Sequence, residues 1–468
     1  MPLPLRQGEW YFFAMKTETW SSTRGFILAS VGAAVGLGNL WRFPYIAGSN
    51  GGSAFVLVYV GWVLLLGLPL VIGELALGRR GGRNAVHTMR EVASREGRSG
   101  AWVLIGWLSI LVPLVGITYY SIVAGWSLNY TLLAAQGTFR GISAEGSQAL
   151  FGELLSDPWR LMFWHGLFIA IVVAVIAGGV RKGLERASKL MMPGLFALLL
   201  LLVGWAAVAG DFGRGMAFLF SADFSALTLD GVLMALGQAL FSLAIGVGML
   251  ITYGAYVPQR VSLPRAGAII AGADSLVALL AGMAIFPIVF AVGLEANSGP
   301  GLIFETLPVA FAGMPGGVLL GTLFFVMLSL AAITTGFGMI EPAVAWLSRD
   351  TFLSRPLATL LMGFLTWAVG MVFVLSFNVW ADVKPLGGMF SEMGLFQLVD
   401  FLVANLLLPV NALLLAVFLG YFWSLGSARA ETALSGSLLT IWRALLWLAP
   451  ILILIVLWGL LRDVLPAG

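Results

Sequence analysis

The chain contains no cysteine. Disulfides, thiol nucleophiles and cysteine-ligated metal centres are therefore excluded. Histidine is almost as scarce, with only His87 and His165, which leaves little room for a histidine-built metal centre or triad. No nucleophile stands with a base, so an enzyme is not expected. Charge is sparse too: 10% of the 468 residues are charged, where a soluble globular domain carries about 25%. With 60% hydrophobic residues, the chain cannot cover its apolar surface in water, and lipid is its natural solvent. The net charge of +3 is spread over loops, with no compact basic face for nucleic acid. The start of the chain does not read as a cleavable signal, because Arg6, Glu9, Lys16, Glu18 and Arg24 interrupt it.

What the chain has in abundance is long apolar segments. A membrane-spanning helix needs about 20 mainly apolar residues. Eleven such segments lie at roughly 25–49, 54–78, 101–134, 161–179, 188–209, 230–257, 267–293, 316–347, 356–377, 394–423 and 439–461. Two of them carry glycine clusters in mid-segment: the first (Gly32, Gly36, Gly38) and the sixth (Gly237, Gly246, Gly248). Glycine forms helix poorly, and unpaired backbone in lipid is costly unless it lines a protected cavity.

The loops set an orientation. Arg79, Arg80, Arg83, Arg90, Arg95 and Arg98 follow segment 2, and Arg181, Lys182, Arg186 and Lys189 lie at the junction of segments 4 and 5. Arg260 and Arg265 follow segment 6, Arg349 and Arg355 segment 8, and Arg429 segment 10. If each segment crosses once, all of these share one face. The positive-inside rule then puts the N-terminus in the cytoplasm and, after eleven crossings, the C-terminus outside, in a cell (inner) membrane. The two broken segments sit five apart. That predicts two five-helix halves of opposite topology, a design used by secondary transporters that bind at discontinuous helices.

Specific residues now carry a resemblance. Ala34-Val35-Gly36-Leu37-Gly38-Asn39-Leu40-Trp41-Arg42-Phe43-Pro44, followed by Asn50-Gly51-Gly52-Ser53-Ala54-Phe55, resembles the first-helix motif of the neurotransmitter:sodium symporter family. Pro69-Leu70 through Glu74 and Gly78-Arg79, Lys182-Gly183-Leu184-Glu185-Arg186, Gly237-Gln238-Ala239-Leu240-Phe241-Ser242-Leu243, Ile251-Thr252-Tyr253, and Thr334-Thr335 with Glu341-Pro342 are similar to further family positions. The likeness runs over about residues 20 to 460 and looks like the shorter bacterial members. It implies an all-α polytopic membrane protein of the leucine-transporter fold, with an inverted 5+5 repeat (helices 1–5 and 6–10), helix 11 appended, and helices 1 and 6 unwound at mid-membrane. It implies one transporter domain over 1–468, with repeat one over about 20–210, repeat two over about 228–425 and helix 11 over about 437–463.

The resemblance also implies a site. Sodium is a hard cation and takes oxygen ligands. A first sodium would use the Ala34 carbonyl, Asn39, Ser242, Asp274 and the substrate carboxylate. A second would use the carbonyls of Gly32, Val35 and Ala331 with the hydroxyls of Thr334 and Thr335; the alternative is that these hydroxyls cap their own helix. Chloride-dependent members have Asn at the position of Asp274 and Ser where Ala278 stands. The built-in charge of Asp274, with Tyr59, Gln238 and Ser242 as neighbours, predicts no chloride requirement. The alternative places Asp274 in water at a helix mouth.

For the substrate, freed N–H groups at Leu37 and Gly38 suit a carboxylate, with Tyr120 donating to it. Carbonyls near Phe241 and Ala244 suit an ammonium. Monoamine carriers have Asp at the position of Gly36, so Gly36 points to an amino acid. Gly116, Tyr120, Phe241, Ala244, Val247, Thr335 and Met339 would form a roomy apolar side-chain pocket. Arg42 and Asp400 would form an outer gate with Phe241 as lid, and Trp20 with Asp350 an inner gate. The family's Arg before helix 1 is replaced here by Lys16 or Thr17, which leaves either a Lys16–Asp350 contact or a weaker gate. Gly183 and Pro193 would let the start of helix 5 unwind. The expected protein is a sodium-coupled importer of hydrophobic L-amino acids, with two sodium ions and lipid as its surroundings; a proton-coupled transporter of the same fold is the alternative.

Overall fold

The computed structural model describes residues 18–225, 227–294 and 299–462. Among them the only regular structure is helix. Spans α2 to α5 are Ser53–Gly81, Gly100–Ala135, Pro158–Ala177 and Val180–Ala209. Spans α7 to α10 are Leu263–Ala291, Gly317–Asp350, Arg355–Leu375 and Leu395–Phe422, and α11 runs over Gly436–Arg462. Two spans are broken. α1 consists of Thr23–Ala34 and Gly38–Ser49, bent by 51°. α6 consists of Leu229–Ser242 and Met249–Gly254. The breaks fall where the two glycine clusters lie.

Five shorter helices were not evident from apolar length: Ala85–Arg95, Ala144–Ser156, Phe212–Phe220, Thr306–Ala312 and Leu425–Thr432. They are too short to span, and polar caps start most of them. Asn84, for example, accepts the His87 N–H at 2.9 Å. The connection between α2 and α3 is thus a structured arm rather than a loop.

The core forms around α1. Its inner half packs against α5, α7 and α8, while α3 lies along α8 and α4 along α9. Large apolar residues on one side of α9, including Leu357, Leu361 and Phe364, remain exposed, as befits a lipid-facing surface. The opposite pattern holds at the centre, where Asn39, Glu74, Gln238, Asp274 and Glu341 are fully buried. Polar groups at that depth need partners, and those partners define the site.

Candidate functional site

The backbone of α1 leaves the helix at Val35 (ψ 104°) and resumes at Gly38 with a π-turn to Arg42. Asn39 holds the break from within. Its Oδ1 accepts the Gly36 N–H at 3.1 Å, and the Gly36 carbonyl accepts the N–H groups of Asn39 (3.1 Å) and Leu40 (3.3 Å). Gly36 has no room for a side chain. A Cβ there would lie 2.5 Å from Thr335 Oγ1 and 3.2 Å from Tyr120 Oη.

The other face of Asn39 meets a buried polar group centred on one acid, Asp274. Its Nδ2 donates to Asp274 Oδ1 (2.8 Å), the Asp274 carbonyl (3.0 Å) and Ser242 Oγ (2.8 Å). Ser242 donates to Asp274 Oδ2 at 2.6 Å, and Tyr59 donates to Ser242 at 3.2 Å and Asp274 at 3.4 Å. Asp274 is fully buried, so it does not stand in water at a helix mouth. Residues from α1, α2, α6 and α7 meet here, among them three of the four expected for the first sodium. Ala34, the fourth, ends the inner half of α1 and lines the adjoining cavity. Gln238 joins from α6, giving its Nε2 to the Gly38 carbonyl at 3.0 Å.

The expected second cluster also assembles. Thr335 Oγ1 donates to the carbonyls of Val35 (3.1 Å) and Gly32 (3.4 Å), bridging α8 to α1. Thr334 Oγ1 donates instead to Leu330 (3.1 Å) and Ala331 (3.0 Å) in its own helix. A Cβ on Gly32 would lie 2.9 Å from the Met192 sulfur and 3.1 Å from Thr334 Cβ, so a side chain of α5 covers this cluster.

In α6 the break is held from outside. Glu74 of α2 accepts the Gly246 N–H at 2.8 Å. Asn411 of α10 donates to the Gly246 carbonyl at 2.6 Å and to Ser109 of α3 at 3.2 Å. Gly246 has φ +81°, and a Cβ there would meet the Ala412 nitrogen at 2.7 Å, so both conformation and space require glycine. Asn411 and Ser109 escaped the sequence reading, although a polar residue within an apolar span is a signal for each.

Between the breaks lies a cavity of about 70 Å³. Ala34, Gly36, Leu37, Gly38, Tyr120, Phe241, Ala244, Val247, Thr335 and Met339 line it as expected, joined by Val112, Pro113, Tyr119, Met249, Val403 and Leu408. Gly116 does not line it. The Met339 methyl lies 2.8 Å from where a Cβ on Gly116 would stand, so Met339 covers that position.

Three further expectations need correction or completion. Arg42 and Asp400 are near each other without a direct ion pair: the Arg42 guanidinium lies 4.3 Å from the Phe241 ring centroid, while Asp400 accepts from the Tyr119 hydroxyl with the Arg42 charge in its surroundings. Helix 5 is wound. A π-turn covers Val180–Glu185 and the α-helix from Arg186 runs through Pro193. Gly183 permits this because it lies flat against the Val175 carbonyl, where any side chain would overlap. On the face carrying the N-terminus, Trp20 is buried, with Nε1 on the Tyr253 carbonyl at 3.0 Å. Asp350 pairs with Arg83 at 3.6 Å and accepts from Asn84. Lys16 lies outside the described residues, while Glu18, which the sequence did not single out, meets Arg355 at 2.8 Å.

Comparison with known proteins agrees with this architecture. Residues 17–140 and 155–462 match the sodium:neurotransmitter symporter family. An uncharacterised sodium-dependent transporter of Bacillus subtilis, YhdH, is 39% identical over 404 residues, 86% of this chain and 88% of that one. The sodium-dependent dopamine transporter of Bos taurus is 27% identical over 424 residues, 77% of this chain and 58% of that one. The crystal structure of MhsT in complex with L-phenylalanine superposes with a TM-score of 0.86 at 38% identity, covering 95% of this chain and all (100%) of that one. The chain is a multi-pass membrane transporter of the leucine-transporter fold and belongs to the sodium:neurotransmitter symporter family.

Proposed function

We propose that the chain is a chloride-independent symporter that couples two sodium ions to the import of hydrophobic L-amino acids, aliphatic or aromatic. The observation that carries this is the meeting of the α1 break with the buried Asp274 cluster beside an apolar cavity. At the first site, sodium takes the place now held by the Asn39 NH₂ group. Asn39 then turns its amide oxygen toward the cation, releasing the Gly36 N–H, and Ser242 and Asp274 supply further oxygens. At the second site, Thr335 and Thr334 rotate their hydroxyl hydrogens away and offer oxygen beside the carbonyls of Gly32, Val35 and Ala331.

The substrate carboxylate is held by the first sodium, the Leu37 and Gly38 N–H groups and Tyr120, and its ammonium by carbonyls near Phe241 and Ala244. The amino-acid class rests on Gly36, which offers no carboxylate of its own. The hydrophobic preference rests on Val112, Val247, Met249, Met339, Val403 and Leu408 in the lining, and on the phenylalanine held by the similar MhsT. The single transporter domain sits in the cell inner membrane, with its arginine-rich face and N-terminus in the cytoplasm and its C-terminus outside. Arg42, Phe241 and Asp400 close the outer side, and Trp20 with its surroundings the inner side.

Uptake of labelled leucine, phenylalanine and tryptophan into proteoliposomes tests the reading. Uptake should need a sodium gradient, persist when gluconate replaces chloride, and fail with a proton gradient alone. Uptake indifferent to sodium rejects symport, and a chloride requirement rejects the role given to Asp274.

A further inference from the structure

Two arginines are buried among the described residues, Arg79 and Arg443, and their charges are met differently. Arg79 of α2 is fully paired. Its Nε meets Glu431 at 3.1 Å, its Nη1 donates to the Val261 carbonyl at 2.8 Å, and its Nη2 donates to the Glu431 carbonyl. Arg443 of α11 has far less. Its Nη1 donates to the Leu419 carbonyl of α10 at 2.6 Å. Its Nε is buried without an acceptor, and no carboxylate among the described residues pairs with it. A cation within a spanning helix is costly unless a counter-charge or a set of acceptors meets it.

Capping α10 does not account for the charge. The π-turn Phe418–Phe422 ends that helix and leaves its last carbonyls to outside donors. The Gly420 carbonyl takes the neutral Trp447 indole N–H at 2.7 Å, so a neutral donor suffices one residue from Leu419. The position suits an anion that comes from the membrane. Arg443 stands about 10 Å along α11 from its first residue, Gly436, and a helical side chain leans back toward the start of its helix. Trp447 and Tyr421 are exposed nearby, and the Tyr421 hydroxyl donates to the Trp447 carbonyl at 2.8 Å. Such amphipathic rings mark the boundary between acyl chains and headgroups. Ile441 and Leu448, also exposed, extend the apolar surface on which acyl chains lie.

We propose that Arg443, at the seam of α10 and α11, binds the phosphodiester of an anionic phospholipid, with the Tyr421–Trp447 pair flanking the headgroup. The guanidinium keeps its bond to Leu419 and offers Nε and its second Nη as a planar fork that matches phosphate oxygens. Its long stem lets it turn toward the headgroups while α11 stays packed. Under the orientation proposed above, the leaflet is the cytoplasmic one, where anionic lipids concentrate and basic pockets between helices take their headgroups. The occupant is a lipid rather than a free phosphate, because the flanking surface is apolar and Arg443 is nearly closed to water.

Native mass spectrometry of the full chain in detergent, given equal amounts of phosphatidylglycerol and phosphatidylcholine, tests this. Both lipids carry a phosphodiester, but only phosphatidylglycerol carries net charge. The chain should retain phosphatidylglycerol with a preference of about tenfold, the lower end for a charge-assisted hydrogen bond. Arg443→Gln should bring the ratio close to equality. Arg429→Gln, which alters an exposed arginine on the face where α10 ends, should keep the full preference, and inorganic phosphate should not displace the lipid. Equal retention of the two lipids by the unaltered chain, or a preference that survives Arg443→Gln, overturns the proposal. So does an equal loss in Arg429→Gln, the mark of a general field, or displacement by inorganic phosphate, the mark of a free-anion site. If Arg443→Gln does not fold, Arg443→Lys decides: it keeps the charge but not the fork, so its ratio should fall about threefold, and an unchanged ratio overturns the proposal. Sodium and amino acid are absent from the assay, so its outcome is independent of the symport reading.

Discussion

The two helix breaks accommodate their loosened backbone in different ways. At α1 one partner is local and the other can turn: Asn39 caps Gly36 three residues away, and a rotatable hydroxyl of Thr335, 300 residues away on α8, reaches the Val35 carbonyl. At α6 the partners are remote: Glu74 and Asn411 lie 172 and 165 residues from Gly246 and belong to the long packed helices α2 and α10. The first arrangement uses groups that can be handed over to a ligand by rotating a side chain. The second clamps the backbone to the scaffold. The difference separates a break held by groups that can turn from a break clamped to its scaffold, although both arise from glycine in an apolar span.

Variants can break or sharpen that contrast. The largest effect is expected from Asp274→Ala, which removes the carboxylate that accepts from Asn39, Ser242 and Tyr59. Sodium affinity, read from the sodium dependence of substrate binding, should fall by about 100-fold, since hydrogen bonds to charged groups contribute about 1.5–3 kcal/mol each. An unchanged midpoint would remove α1 from the binding role.

Next is Glu74→Ala. Stranding the Gly246 N–H should cost about 1–3 kcal/mol of stability, visible in thermal unfolding, with the sodium midpoint of the surviving protein little moved. Glu74→Gln keeps an acceptor and should cost much less. A large sodium shift in either variant would erase the distinction between the breaks.

Thr335→Ala loses the bridge from α8 to α1 and should weaken sodium dependence by about fivefold, near 1 kcal/mol. Thr334→Ala should have the smallest effect on the fold, because its hydroxyl serves only its own helix. A sodium shift there with unchanged unfolding temperature would single out ion ligation, and no shift would leave Thr334 a helix cap.

How legible each region was follows from the same contrast. The α1 break and Asn39 lie within nine residues of sequence, so glycine spacing exposes them directly. Asp274 announces itself as a carboxylate in an apolar run. The bracing of α6 is harder to read, because Asn411 looks like any polar residue in a span until folding brings it to Gly246. The Glu18–Arg355 pair joins positions 337 residues apart across a loop face rich in charge, where local pattern cannot choose partners. Helix 5 shows the opposite difficulty. Gly183 and Pro193 mark a weak stretch, and the structure has it wound, with Gly183 packed tightly on Val175. A small Gly116 suggests open space, yet the flexible Met339 fills what a small residue vacates.

The crowding around Gly36 bears on how this binding site can change over time. A carboxylate introduced there, as monoamine carriers have, would collide with the Thr335 hydroxyl and come close to that of Tyr120. No single substitution at this position offers a smooth path to a different substrate class. Residues on α3 and α8 would have to yield together with it, so drift at any one of the three positions is opposed by the other two. Interlocking of this sort makes position 36 slow to change in this chain, while other residues of the cavity lining, such as Val247 and Met339, lie outside it.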